Sequence, residues 1–155
     1  MTEQEACERA RALFLTEDNA YGCAETALIV LQEAFGLRQP MESSVAMAFN
    51  GGVAWSGGLC GAVSGAAMAV GRLAGKGIAD HKEAKALMRS LVASLLAQFR
   101  AEFGSTNCRE LTGLDISTEE GHRAFVESKV WHGACMDQIA FVLRWVLAVH
   151  DEQGW

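Results

Sequence analysis

Gly51-Gly52-Val53-Ala54-Trp55-Ser56-Gly57-Gly58-Leu59-Cys60-Gly61-Ala62-Val63-Ser64-Gly65 is the stretch on which the fold turns. Paired glycines let the backbone take positive φ and approach its neighbours closely, so Gly51-Gly52 and Gly57-Gly58 read as a shaped loop. Gly57, Gly61 and Gly65 then recur every four residues, which on a helix makes one smooth ridge for a second backbone. Cys60 sits where loop becomes helix, and unpartnered N–H groups and the helix dipole favour a thiolate there. A free cysteine is also a small buried hydrophobe, and Cys60 alone does not decide between the two. Trp55 either shields the chemistry of Cys60 from water or simply buries its indole.

Outward from this loop the chain reads as helices. Glu3 to Thr16 places Ala6, Cys7, Ala10, Leu13 and Phe14 on one face, with Cys7 as core filler. Glu17 to Gly22, including Asn19, is a turn with capping residues, and Cys23 opens a helix with Ala24, Ala27, Leu28, Leu31 and Phe35 as its stripe. Glu25 reads first as a solvated first-turn acid, with proton acceptor as the alternative. Glu42 to Phe49 makes a short helix into the glycine loop, and the Cys60 helix dissolves between Gly71 and Gly77. Asp80 caps the longest helix, to about Glu102, whose stripe is Ala84, Leu87, Met88, Leu91, Val92, Leu95, Leu96 and Phe99. Asn107 or Ser105 caps a short helix at Cys108, beside the positive charge of Arg109. Thr118 starts a further helix through Phe125, Val126 and Val130. Trp131 to Gln138 breaks it and begins the last, with Cys135, Ile139, Val142, Leu143, Val146 and Val149 inward and His132 within reach of the same end.

Composition agrees. The 155 residues carry a net charge of −6, are 50% hydrophobic and 21% charged, and include one proline. This suits one all-α domain spanning 1–155, of about six helices with the Cys60 helix central. The acidic balance excludes a nucleic-acid partner. The uncharged run Ser43–Gly71 is too interrupted by glycine and serine for a membrane span, and the polar N-terminus reads as cytoplasmic. A bundle this thin, ending in Val146, Leu147 and Val149, is expected to pair as a homodimer.

Of five cysteines, Cys23, Cys60, Cys108 and Cys135 follow a helix break and precede a helical pattern, whereas Cys7 lies mid-helix. Helix N-termini lower thiol pKa, so Cys60 and Cys108 are expected to react fast near neutral pH and Cys7 slowly. No C-x-x-C pair, haem-attachment C-x-x-C-H, nucleotide, flavin or pyridoxal motif is written here.

Cys23, the Gly-Gly loop, Cys60-Gly61-Ala62-x-x-Gly65, Phe103-Gly104-Ser105-x-x-Cys108-Arg109-Glu110-Leu111 and Cys135 together resemble the C_GCAxxG_C_C family of prokaryotic redox proteins. The resemblance runs from about Asp18 to Val146 and maps the four hallmark cysteines onto Cys23, Cys60, Cys108 and Cys135. It implies a redox role, and three forms of it stay open. The four cysteines cycle a dithiol pair, as in a thiol–disulfide oxidoreductase, with a partner protein or a small thiol. Or they ligate an iron–sulfur cluster for electron transfer. Or they are a structural set around zinc, or merely packed. Gly58, Gly61 and Arg109, beside Cys60 and Cys108, are the candidate cofactor-binding positions.

Overall fold

The computed structural model describes residues 1–18 and 20–155, so the capping role expected of Asn19 lies outside the described residues. Seven α-helices run in order: α1 Glu3–Phe14, α2 Cys23–Ala34, α3 Gly61–Gly77, α4 His81–Phe103, α5 Cys108–Thr112, α6 Glu119–Ser128 and α7 Met136–Gln153. A 3-10 turn, Ser44–Phe49, precedes the glycine loop, and a π-helical turn, Trp131–Cys135, feeds α7. The fold is all-α: among the described residues the one β-type pairing is an isolated antiparallel bridge, Leu59 to Asn107. Among the described residues no helix is long and apolar enough to cross a membrane.

Local chemistry sets the helix ends. Thr2 and Glu5 form a reciprocal capping box on α1, and the Asp80 carboxylate accepts the Glu83 N–H at 2.8 Å to start α4. Gly104, at φ +82°, stops α4 with a left-handed cap.

The centre is α2 rather than α3 alone. Every residue from Ala24 to Gln32 is buried, because α2 packs against α1, α3 and α7 together. Its closest partner is α3, and the expected glycine ridge explains why. A Cβ on Gly65 would stand 2.2 Å from the Ala24 carbonyl oxygen, and one on Gly61 2.5 Å from the Cys23 sulfur. Gly57 is not on that ridge. It lies in the loop at φ +80°, where a Cβ would meet Cβ of Arg109 at 2.9 Å.

Other expectations shift. α3 continues through Gly71 to Gly77, since the glycines weaken a helix without ending one that packs on its neighbours. On α4 only Ala84, Leu95 and Phe99 are buried, and Leu87, Met88, Leu91, Val92 and Leu96 are half-covered. Val146 and Val149 are in the core, so of the three residues at the end of α7 only Leu147 is half-exposed, and a longer half-covered apolar stripe lies along α4. Val126 faces solvent and His132 is exposed beside the Trp131 ring.

The loop itself is unusual. Gly51, Gly52, Val53, Ala54 and Trp55 all have positive φ, between 52° and 77°, so five consecutive residues make a left-handed turn. Its hydrogen bonds are long-stepped: Ala54 N–H to Ala48 at 2.7 Å, Gly57 N–H to Gly51 at 3.0 Å and Gly58 N–H to Gly52 at 3.1 Å. L-residues avoid this region, a β-branched valine most of all.

Candidate functional site

The left-handed turn brings the Gly51 N–H toward the Cys23 sulfur, which the Gly61 N–H at the start of α3 also faces. Gly61, having no Cβ, lets the starts of α2 and α3 touch. A buried network fixes the α2 end. Glu25 reaches back to accept the Gly22 N–H at 3.1 Å, the Ser43 hydroxyl at 3.1 Å and the Asn50 amide at 2.9 Å. The Asn50 carbonyl oxygen in turn accepts the Ala24 N–H at 3.0 Å. Gly22 makes room for it, since a Cβ there would stand 2.2 Å from Asn50 Cγ. Glu25 is therefore no solvated first-turn acid. It is 5% exposed, and its donors come from the chain 18 and 25 residues downstream.

Cys60 and Cys108 are set by the loop-to-loop bridge. The Cys60 N–H donates to Thr106 at 2.8 Å, Cys108 N–H to Gly58 at 2.7 Å and Arg109 N–H to Gly57 at 3.0 Å. Gly58 thus serves as a backbone partner of Cys108. Arg109 points away, donating to Asp115 Oδ1 at 2.7 Å, so its charge is paired at the surface. The Cys60 thiol takes N–H groups of Ala62 and Val63 and itself donates to Gln138 Oε1 at 3.5 Å. Gln138, buried one turn past Cys135, is a site residue that sequence reasoning missed; a polar side chain on the inward stripe of α7 was its one signal.

Cys135 is not at a free helix N-terminus. It closes the π-helical turn with helical backbone angles, φ −67° and ψ −36°, and continues directly into α7. It is directed inward, as expected, without dipole or unpaired amides behind it.

Cys23, Cys108 and Cys135 line one cavity of about 130 Å³, walled by Phe14, Trp55, Ile116, Phe125 and Trp131. Trp55 therefore covers Cys23 rather than Cys60, packing edge-on to His122 and Phe125. Cys60 lies behind, still within electrostatic reach of Cys23 and Cys108. Cys7, half-buried on α1, has only Arg144, Glu3 and Arg11 as charged neighbours.

The thiols are not acidified, contrary to the helix-dipole expectation. Burial pushes Cys108 up to about 12, and a Cys23 thiolate beside it would raise it further. Burial raises Cys60 and Cys135 still more, again with the Cys23 charge adding to it. Removing a thiolate from water outweighs the few amides that greet it. Cys23 is raised by burial too, with neighbouring backbone N–H groups, Gly51 first, opposing the rise.

All five cysteines are free thiols, and among the described residues no three His, Cys, Asp or Glu side chains stand close enough to hold one metal ion. The donor set is soft and fits an iron–sulfur cluster or zinc by chemistry, but its spacing fits no single ion as it stands.

An all-α bundle thus brings Cys23, Cys108 and Cys135 to one aromatic-walled cavity, with Cys60 behind it. Residues 21–149 match the model of the C_GCAxxG_C_C family, described as "putative redox-active protein", and the chain belongs to that family. No curated protein and no solved structure matches it.

Proposed function

We propose that this protein is a dithiol reductant in which Cys23 attacks a disulfide and Cys108 completes the exchange. The observation that carries the reading is the Cys23 sulfur facing the Gly51 and Gly61 N–H groups, at a cavity that Cys108 and Cys135 share. Amides stabilise the attacking thiolate without a base. The Cys23 thiolate attacks one sulfur of R–S–S–R, forming a mixed disulfide and releasing RS⁻. The Cys108 thiolate then attacks the Cys23 sulfur, closing an intramolecular disulfide and releasing the second RS⁻. The two thiol protons go to the two leaving thiolates, so two cysteines are oxidised and one substrate disulfide is reduced. Cys108 is preferred over Cys135 as the second thiol because it opens α5, whereas Cys135 runs straight from the π turn into α7.

The direction follows from the burial. A strong oxidant has a stabilised thiolate in its reduced form. Thiols held protonated by burial lack that stabilisation, so the centre gives electrons rather than takes them.

Mixing reduced, metal-free protein with bis(2-hydroxyethyl) disulfide, then quenching in acid and mapping peptides, tests the scheme. A Cys23–Cys108 crosslink is expected, with Cys108→Ser trapping the mixed disulfide on Cys23 and Cys7→Ser behaving as wild type. A Cys23→Ser variant that oxidises as fast as wild type sinks it. Iron–sulfur ligation by Cys23, Cys60, Cys108 and Cys135 is the second reading, supported by the soft donor set and by the cavity that Cys23, Cys108 and Cys135 share. Anaerobic reconstitution that yields a stable visible chromophore, lost in each of the four Cys→Ser variants, would replace the first reading with it.

A further inference from the structure

We infer that the disulfide this centre reduces is a small, uncharged, low-molecular-weight one, and that peptide-sized and protein disulfides are excluded. The inference rests on the dithiol reading. Exchange needs the attacking sulfur in line with the S–S bond, so the substrate's own disulfide must come inside the cavity. Cys108 and Cys135 are each 7% exposed. The space they share with Cys23, itself half-buried, is about 130 Å³. A cavity of about 150 Å³ in another protein takes up benzene, which sets the scale of the guest. A disulfide flanked by peptide on both sides does not fit in that space.

The walls give the polarity. Phe14 and Trp131 meet edge to face at 5.8 Å, and Trp55 and Phe125 at 6.2 Å, so two aromatic pairs wall the thiols. Among the described residues no lysine or arginine lines the cavity, and its one carboxylate, Glu25, is already turned to the Gly22, Ser43 and Asn50 donors. An anionic guest such as oxidised glutathione would lose water there and gain no counter-charge. Phe125 is the only buried residue of α6 and closes one side of the chamber from that helix.

Single-turnover oxidation of reduced protein is followed with four probes: dimethyl disulfide, bis(2-hydroxyethyl) disulfide, oxidised glutathione and insulin. Each rate is divided by that of free dithiothreitol with the same probe, which removes leaving-group chemistry. The normalised rate for dimethyl disulfide is expected to exceed that for oxidised glutathione by about a hundredfold or more, the scale on which a pocket rejects a group it cannot seat. Insulin is expected to stay unreduced. Phe125→Ala, and more mildly Phe125→Leu, is expected to narrow the gap by admitting the larger probe. Comparable normalised rates for all four, with Cys23 oxidised each time, would overturn this inference and leave the dithiol reading standing. If no probe oxidises Cys23, both fall together.

Discussion

Raising the pH of the reduced protein should unfold it in a manner set by three buried thiols. Cys60, Cys108 and Cys135 are 3%, 7% and 7% exposed, and burial holds each protonated far above the usual thiol range, Cys108 up to about 12. In the unfolded chain the same groups ionise near 8.5. Below that pH both states hold the protons, and the stability these groups confer is fully present. Above it the unfolded state releases protons that the folded state keeps, and stability falls as pH rises toward the folded values. One unit above the unfolded pKa, each thiol costs RT ln 11, about 1.4 kcal/mol, and the three together about 4 kcal/mol. A domain of this size has roughly 5–15 kcal/mol in hand, so the loss is a large part of the whole.

Urea melts at pH 7.5 and 9.5, in a phosphine reductant and without oxidant, read this directly. With a slope near 2 kcal/mol per molar, the midpoint should drop by about 2 M. Cys60→Ala should remove about a third of that drop, since it leaves two of the three thiols to titrate. A midpoint unchanged within about 0.3 M between the two pH values would mean the thiols ionise freely in the folded chain, and the burial argument would be wrong.

Three further outcomes follow from packing. Gly65→Ala should destabilise by about 1–3 kcal/mol or more in chemical denaturation, because its Cβ would stand 2.2 Å from the Ala24 carbonyl; an unchanged midpoint refutes the α2–α3 contact. Glu25→Ala should cost about 3–5 kcal/mol by leaving the Gly22, Ser43 and Asn50 donors without their acceptor, and should slow Cys23 alkylation by loosening the α2 end. Thr26→Val should stabilise by about 1 kcal/mol in thermal melts, since the Thr26 hydroxyl is buried with no hydrogen-bond partner among the described residues.

What could be read from the residues is what local rules govern. The Asp80 cap and the Gly61/Gly65 ridge need only helical spacing to be seen, and each is where spacing puts it; the α4 stripe keeps its face, though only Ala84, Leu95 and Phe99 of it are buried. The burial of Glu25 could not be read, because its donors Ser43 and Asn50 come from a different part of the chain. Cys135 was misjudged for a related reason: Gly133 looks like a break, yet the chain widens into a π turn and carries on. The acidity of Cys60 and Cys108 had the wrong sign because a dipole is visible in sequence and desolvation is not.

The left-handed turn shows why a loop carries this site. Val53, Ala54 and Trp55 each sit in a region that costs an L-residue roughly 1–2 kcal/mol, so the three together cost about 3–6 kcal/mol. A chain selected for stability alone would place glycines there, as it does at Gly51 and Gly52. Glycine at 55 would also delete the indole that covers Cys23 and packs against Phe125. Reversing the handedness would turn the Gly51 N–H away from the Cys23 sulfur and withdraw the Gly57 and Gly58 carbonyls from Arg109 and Cys108. One strained turn therefore holds three features in register: the amide on Cys23, the aromatic wall beside it, and the bridge that presents Cys108 to the same cavity. Those features are offset against the strain only because the turn is tied at both ends, by Ala48 upstream and by the Cys108 and Arg109 N–H groups downstream. Cutting the downstream tie, which Arg109→Pro would do by deleting the N–H that donates to the Gly57 carbonyl, should release the turn and uncover Cys23 to alkylation while Cys7 labels as before.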